Sequence, residues 1–474
     1  MMIYIGLILL TLLLGSLFVI LTKEKHSKLL GTIFSGLALL IVLIMFISAF
    51  LSGNSIQSEN YGIYIVALNI YLHFQINAIS LILTIMCSII TFAAIFGGNV
   101  ESSNSKGKTL LLLLFEFSSI AFFTSANLFL FYIFLDLGIL FAFFMLYLYG
   151  SANKRKASIK FLAYEFSASM LLLIAIILIY FSAHTLNISS IMQNANIIPR
   201  STQVLIFIFL LLAFIINMPI FPFHFWLPDA HTEASTQGSM ILSGVLTKFG
   251  AYGVLLTFLM LPISHNSSIQ IILLLLGGFS AFYAAFVIIT QHDLKRIIAY
   301  SAIVEMSIVL IGIASLTTIG FDGAVIALFA QGVTIALMFL STSSIIHIFA
   351  EHNILLIKGA ARNALSSAYT FMIGIFLLGG VPLSIGFIGD LLIFIGAFST
   401  FSIFGIIPIF ALVILILFLY YINSKAIFNI SGECSKNINF INTEQEIAYV
   451  ILISTLFIFG ILPFLFINLL KLFP

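Results

Sequence analysis

Charge is what this chain has least of. Only 7% of its 474 residues are Asp, Glu, Lys or Arg, against roughly 25% in a soluble chain, which excludes a soluble domain of any size. Cysteine is nearly absent: Cys87 sits in an apolar run and Cys434 in a polar loop, leaving neither a disulfide framework nor a thiolate metal cluster. A formal net charge of +2 supplies no basic surface for nucleic acid. The first apolar stretch lacks a positive n-region and a small-residue cleavage site, so it reads as a retained helix and not as a signal peptide. Hydrophobic residues make up 62% of the chain, and a mean hydropathy of +1.26 extends over its whole length. These values describe an all-α polytopic protein of the lipid bilayer.

Runs able to cross a membrane, at about 20 residues each, fall at 2–22, 29–51, 76–97, 110–125, 127–149, 160–183, 203–221, 236–261, 268–290, 296–315, 321–349, 366–398, 403–424 and 447–470. Fourteen helices are therefore expected. Lys and Arg in short loops mark the cytoplasmic side. With the N-terminus outside, the inner loops collect Lys23, Lys25, Lys28, Lys106, Lys108, Lys154, Arg155, Lys156, Lys160, Lys295, Arg296, Lys358, Arg362, Lys425 and Lys436. Only Arg200 and Lys471 fall outside, and Lys248 lies in mid-helix. A count wrong by one helix would scramble this division, so both termini are placed on the outer side.

Two runs carry unusual punctuation. The seventh leads into MPIFPFHFWLPDAH, with Pro219, Pro222 and Pro228 close together; proline removes a backbone donor and clashes with the preceding turn, so the helix breaks there. The twelfth holds Gly379, Gly380, Pro382 and Gly386 inside a run too long for one straight crossing. The two breaks lie five helices apart, an odd offset that reverses direction. The pattern predicts two inverted five-helix repeats, 110–261 and 268–424, preceded by helices 1–3 in 1–109 and followed by a cytoplasmic loop and last helix in 425–474. Broken helices at matching positions of inverted repeats mark ion sites in transporters.

Six ionisable side chains lie within the spans: Glu116, Asp136, Glu165, Lys248, Glu305 and Asp390. Each costs about 2.5–3.5 kcal/mol near the bilayer centre, so they are paired, hydrated or protonated, and a proton relay across the midplane is their natural use. Lys248 has about a dozen apolar-helix residues on either side, too deep for its stem to reach an interface. Asn217, Ser243, Thr247, Gln331 and Thr334 are able to line a water path or simply to bond backbone carbonyls. His224, Asp229, His231 and Glu233 crowd the first break, but their spacing is neither HExxH nor another ligand pattern; freed backbone at a break needs polar groups. His292, Asp293, Lys295 and Arg296 read as an interfacial helix start.

The run FPFHFWLPDAHTEASTQGSMILSGVLTKFGAYG, Phe221 to Gly253, resembles the signature of the antiporter-like membrane subunits of NADH:quinone oxidoreductase and of multisubunit Na+/H+ antiporters. LFLFYIFLDLG (Leu128 to Gly138), HDLKRIIAYSAIVEMS (His292 to Ser307) and GFIGDLLIFIGAF (Gly386 to Phe398) follow in family order, so the likeness spans about residues 75 to 425. AHTEA, GSM and an acidic twelfth helix look most like subunit M (chain 4) of the oxidoreductase; HFWLPDA and LTKFG also lean toward the D-type subunit of the multisubunit cation antiporters.

The resemblance implies fourteen helices with the seventh and twelfth discontinuous, a proton path through Asp136, Lys248 and Asp390, and assembly with other membrane subunits. It implies no cofactor for this chain, NADH and quinone being handled by partner subunits. Protons, or Na+ in the antiporter reading, would be the cargo, and a bacterial inner membrane the location. The chain departs from the family at Asn217, where a seventh-helix lysine is usual, and at Glu305 and Gln331, which replace histidines of the tenth and eleventh helices; Glu305 joins the expected path, with Asn217, Gln331 and His224 as polar or water-path residues. These departures leave a non-pumping structural subunit as a further alternative.

Overall fold

A computed structural model describes residues 4–52, 57–65, 70–98, 105–357, 359–424 and 442–471. Lys358 and the whole 425–441 loop assigned to the inner side, with Lys425, Cys434 and Lys436, lie outside the described residues.

The apolar runs fold as helices because, in lipid, a helix satisfies its own backbone groups. In chain order these are α1 (Tyr4–Leu21), α2 (Glu24–Ser52), α3 (Ala78–Phe96), α4 (Ser105–Thr124), α5 (Leu128–Tyr149), α6 (Lys154–Ala183), the short α7 (Ile188–Asn194) and α8 (Arg200–Asn217). After the first break come α9 (Trp226–Glu233) and α10 (Thr236–Ile241), which passes through a π turn, Leu242–Leu246, into α11 (Thr247–Met260). The second half comprises α12 (Ser267–Ile289), α13 (Leu294–Ala314), α14 (Thr318–Phe349), the single turn α15 (Ala360–Asn363), α16 (Leu365–Leu378), α17 (Ile385–Phe401) and α18 (Ile407–Ile422). Last are α19 (Thr443–Ile461) and α20 (Phe464–Lys471).

Thirteen helical stretches among the described residues are long and apolar enough to span a bilayer, and Leu365–Leu378 is a shorter apolar helix. The fourteen expected crossings are recovered once two stretches are apportioned. Ile385–Ile422, 38 residues, is about 57 Å of helix at 1.5 Å per residue, nearly twice the hydrocarbon core. It folds back at the 3-10 turn Ser402–Ile406, where Gly405 sits so close to Phe398 that a Cβ would lie 2.5 Å from its Cα. α16 and α17 together then make one broken crossing.

Loop contacts fix the two ends. At one, Lys28 Nζ donates to the Gly98 carbonyl at 2.8 Å and to Glu444 at 2.6 Å, Lys106 to the Ile20 carbonyl at 2.7 Å, and Lys295 to the Ala234 carbonyl at 2.7 Å. At the other, Phe74 pairs with Ser125, Asn127 with Asn187, and Thr400 Oγ1 donates to the Ser315 carbonyl. The basic loops thus share one end, and the two broken helices, α8–α9 and α16–α17, run in opposite senses.

One element departs from the all-helical expectation. Gln57–Ile65 (β1) and Ile70–Ile76 (β2) form an antiparallel hairpin, Gln57 opposite Ile76 and Ile65 opposite Ile70. It lies between α2 and α3 at the end away from the basic loops, where backbone outside the hydrocarbon is free to pair as strands.

The helix carrying Lys248 (Thr236–Met260), together with α13 and α14, forms the buried centre, while α1, α2 and α6 turn much of their surface outward. α14 and α17 meet through glycine: a Cβ on Gly389 would lie 2.7 Å from the Ala327 amide nitrogen, and one on Gly396 2.6 Å from Gly320 Cα. Small residues permit such close backbone approach in membranes.

Candidate functional site

Lys248 is fully buried in the centre of the helix bundle. The π turn before it leaves the Ser243 carbonyl open to side chains; Lys248 Nζ donates to it at 2.5 Å and to Thr247 Oγ1 at 3.3 Å, and Thr247 Oγ1 donates to the same carbonyl at 2.9 Å. π turns recur at functional sites because they expose backbone in mid-helix. On the other side of Ser243, its Oγ lies 2.5 Å from His231 Nε2, and the His231 ring stacks 4.4 Å from Phe339. His231 therefore belongs to the site, although its sequence context read as backbone satisfaction at a break.

Toward α13, Glu305 lies within electrostatic reach of both Lys248 and Asp390. Among the described residues no direct ion pair joins the three, and Glu305 Oε1 has no hydrogen-bond partner. Gln331 of α14 donates to the Ala302 carbonyl at 3.1 Å, three residues before Glu305, and leaves its own Oε1 unbonded. Asp390 is buried on the first turns of α17, beside the second break, where Gly380 takes φ +68° and its Cα faces Asp390 Oδ2. Ser384 caps α17, its Oγ accepting from the Phe387 amide at 3.3 Å. Lys248, Glu305 and Asp390 thus form a succession of charge-bearing groups through the bundle centre.

Asp136 stands apart from this succession. It is half-buried on α5 and lines a groove of about 360 Å3 with Glu165 and Ser169 of α6 and with Tyr132. Glu165 is 1% exposed, its Oε1 unbonded, and among the described residues no cation pairs with either carboxylate. Asn217 ends α8, buried with Oδ1 unbonded. The Phe131 and Phe214 rings, 6.0 Å apart, bring α5 and α8 together; these helices run in the same sense, so Asp136, five residues on, and Asn217, three residues on, lie at similar depth.

The other polar residues separate into roles. His224 sits among Phe221, Phe225, Tyr283 and Tyr300, both ring nitrogens unbonded, and no bond links it to Lys248. The break itself is satisfied by Trp226 Nε1, which donates to the Ile216 carbonyl at 3.1 Å, and by Ser280, whose Oγ accepts from the Phe221 amide at 3.1 Å. Asp229 binds Lys160 Nζ at 2.7 Å and Arg296, while Glu233 accepts from Ser151 and Asn153. His224, Asp229, His231 and Glu233 accordingly do not converge. Burial works against the Asp229 charge, but bonds to Lys160 and Arg296 outweigh it and hold the carboxyl below its usual range. Asp293 begins α13 as an N-cap, accepting from the Arg296 amide at 3.0 Å, which is the interfacial helix start expected there. Thr334 Oγ1 donates to the Ala330 carbonyl at 2.8 Å. Glu116, also fully buried, accepts from Ser35 at 2.8 Å and ties α4 to α2.

A buried lysine followed by carboxylates, set between two helix breaks of opposite sense, is the architecture of an antiporter-like membrane subunit. The chain belongs to the membrane-subunit family described as NADH:quinone oxidoreductase/Mrp antiporter, whose profile matches residues 125–418. It is 34% identical over 328 residues to NADH-quinone oxidoreductase subunit M of Rickettsia conorii, a match covering 69% of this chain and 66%, just under two thirds, of that relative. Its fold is that of a chain of respiratory complex I from Thermus thermophilus, solved with bound NADH, at TM-score 0.87 and 23% identity over 98% of each chain. It is also that of a chain of the Mrp complex from Dietzia sp., at TM-score 0.86 and 16% identity, covering 100% of this chain and 97% of the other.

Proposed function

We propose that this chain translocates protons as an antiporter-like membrane subunit of a respiratory NADH:quinone oxidoreductase, driven by redox chemistry in partner subunits that handle NADH and quinone. The observation that carries this reading is the Lys248 ammonium, buried at mid-bundle, bonded to the Ser243 carbonyl and Thr247 hydroxyl and faced by Glu305 and then Asp390. A lysine whose charge is neither solvated nor directly ion-paired releases and regains a proton when neighbouring charges change. His231 reaches Ser243 from the basic end, and Asp390, beside unwound backbone, serves the opposite side. The carboxylate groove at Asp136 and Glu165 opens on the flank of the subunit, and the counter-charge missing at Asn217 is supplied there by a neighbouring membrane subunit. The basic end faces the cytoplasm of a bacterial cell, both termini lie outside, and residues 110–261 and 268–424 act as two half-channels.

The second reading is a subunit of a multisubunit cation/proton antiporter, favoured by the HFWLPDA and LTKFG wording and by the likeness to the Mrp complex chain. Purification in mild detergent, identification of co-purifying subunits, and reconstitution into vesicles test the choice. Oxidoreductase subunits and NADH-driven acidification support the first reading; small antiporter subunits and Na+-dependent proton exchange replace it with the second. Assembly with oxidoreductase subunits, with proton flux unchanged when Lys248 is replaced by alanine, leaves only a structural role.

A further inference from the structure

His231 sits on a short helix packed between α6 of the first half and α13 of the second. α9 has eight residues, a length at which an isolated helix is marginal. Its bond back to α8 is the Trp226 ring to the Ile216 carbonyl. Beside its buried Trp226, Leu227, Pro228 and Ala230 and the bonds of Glu233 to Ser151 and Asn153, it has ionic attachments that come from both halves of the molecule. Asp229 Oδ2 accepts from Lys160 Nζ of α6 at 2.7 Å, and Oδ1 accepts from the Arg296 guanidinium of α13. Lys295 fastens the following Ala234 carbonyl at 2.7 Å. His231 follows Asp229 by two residues, about 200° around the helix. One side of α9 therefore meets the cations at the basic end while the other presents the imidazole, buried and 2.5 Å from Ser243 Oγ, to the Lys248 site.

We infer that Asp229 is a positioning residue: by drawing Lys160 and Arg296 onto one carboxylate it fixes α9 between the two halves and holds His231 against Ser243, next to Lys248. The inference rests on the reading of Lys248 as the proton-exchanging group. Removing the negative charge leaves two cations facing each other on one side of α9, which loosens that helix and carries the imidazole away from Ser243.

The test uses Asp229→Asn in the intact complex, with two readouts: proton flux in vesicles, and carbethoxylation of His231 by diethylpyrocarbonate, followed by peptide mass spectrometry with exposed His26 as internal standard. Flux is expected to fall by up to about 10²-fold, the scale of misplacing a reacting group by an ångström, and His231 modification to rise toward that of His26. Asp229→Glu, which keeps the charge, is expected to recover most of both. Unchanged protection of His231, or a rise in modification with full flux, overturns the inference. Should Asp229→Asn fail to assemble, Lys160→Gln and Arg296→Gln, each leaving one cation, are read the same way, and protection of His231 in both overturns it. If the unsubstituted protein moves no protons, the reading of Lys248 fails, and the modification of His231 still decides whether Asp229 positions it.

Discussion

The two broken helices solve one problem by different means. α9 is short and pinned by Asp229 between Lys160 and Arg296, whereas α17 is long and pressed backbone to backbone on α14 through Gly389, Gly396, Gly320 and Gly323. Ion pairs part and re-form with small motions and respond to salt and pH. Glycine-mediated packing has no such intermediate setting. The first break is thus held in place by charge, with His231 against Ser243, and the second by close packing of α17 on α14.

The sharpest challenge to this contrast is removal of the group the two halves share. Lys248→Ala is expected to abolish coupled proton flux while assembly persists. Lys248→Arg is expected to fail as well, because a guanidinium does not deprotonate; an active arginine variant would reduce Lys248 to a fixed charge. Asp390→Asn is expected to block flux with normal insertion, and undiminished flux would move the outlet elsewhere.

Next in size is a test of rigidity. Gly389→Ala puts a Cβ 2.7 Å from the Ala327 amide nitrogen and 2.9 Å from its Cα, atoms that have no room to give. It is expected to destabilise the assembled protein by about 1–3 kcal/mol, measured as thermal unfolding in detergent. Unaltered stability would mean that α17 is held more loosely than described.

Asn217→Lys probes the first half. With Asn217 and Asp136 at similar depth on adjoining helices, the new ammonium is expected to couple to the carboxylate by at least about 0.5 kcal/mol in a double-mutant cycle with Asp136→Asn, and to raise proton flux. Strict additivity would show that the two positions do not face each other.

The smallest effect is that of acid on the Asp229 ion pairs. Its folded carboxyl lies below the unfolded value of about 3.9, so the stability it contributes is complete above that value and is lost as pH falls through the folded one. The difference in thermal stability between the unsubstituted protein and Asp229→Asn is expected to stay constant from pH 8 to about 5 and to shrink below about 4. A difference that vanished already near pH 6 would contradict the ion-pair description.

Much of this was legible in the residues because lipid makes the rules strict. Apolar runs, Lys and Arg alternation, three prolines near Phe221 and paired glycines near Pro382 were enough for fourteen crossings and two breaks. The hairpin was not, since Gln57 to Ile76 lies outside the hydrocarbon, where the span rule has no hold and the alternation of residues is weak. Asp136 turned out to share its groove with Glu165, a partnership between α5 and α6 that spacing along one helix does not reveal. His231 was hidden because His224 and His231 look alike in sequence; only folding shows one ringed by aromatics and the other touching Ser243.

The π turn at Leu242–Leu246 has a bearing on which chain lengths are interchangeable. A turn of this kind contains one residue more than an α-helical turn, and each residue advances the helix by about 100°. Between Ser239 and Lys248 the chain therefore counts residues. Losing or gaining one would leave hydrophobicity and composition almost untouched yet swing the ammonium about a quarter-turn, away from Ser243. Insertions and deletions in relatives should spare this stretch far more strictly than they spare its amino-acid types, so that its length is itself a signature of the site.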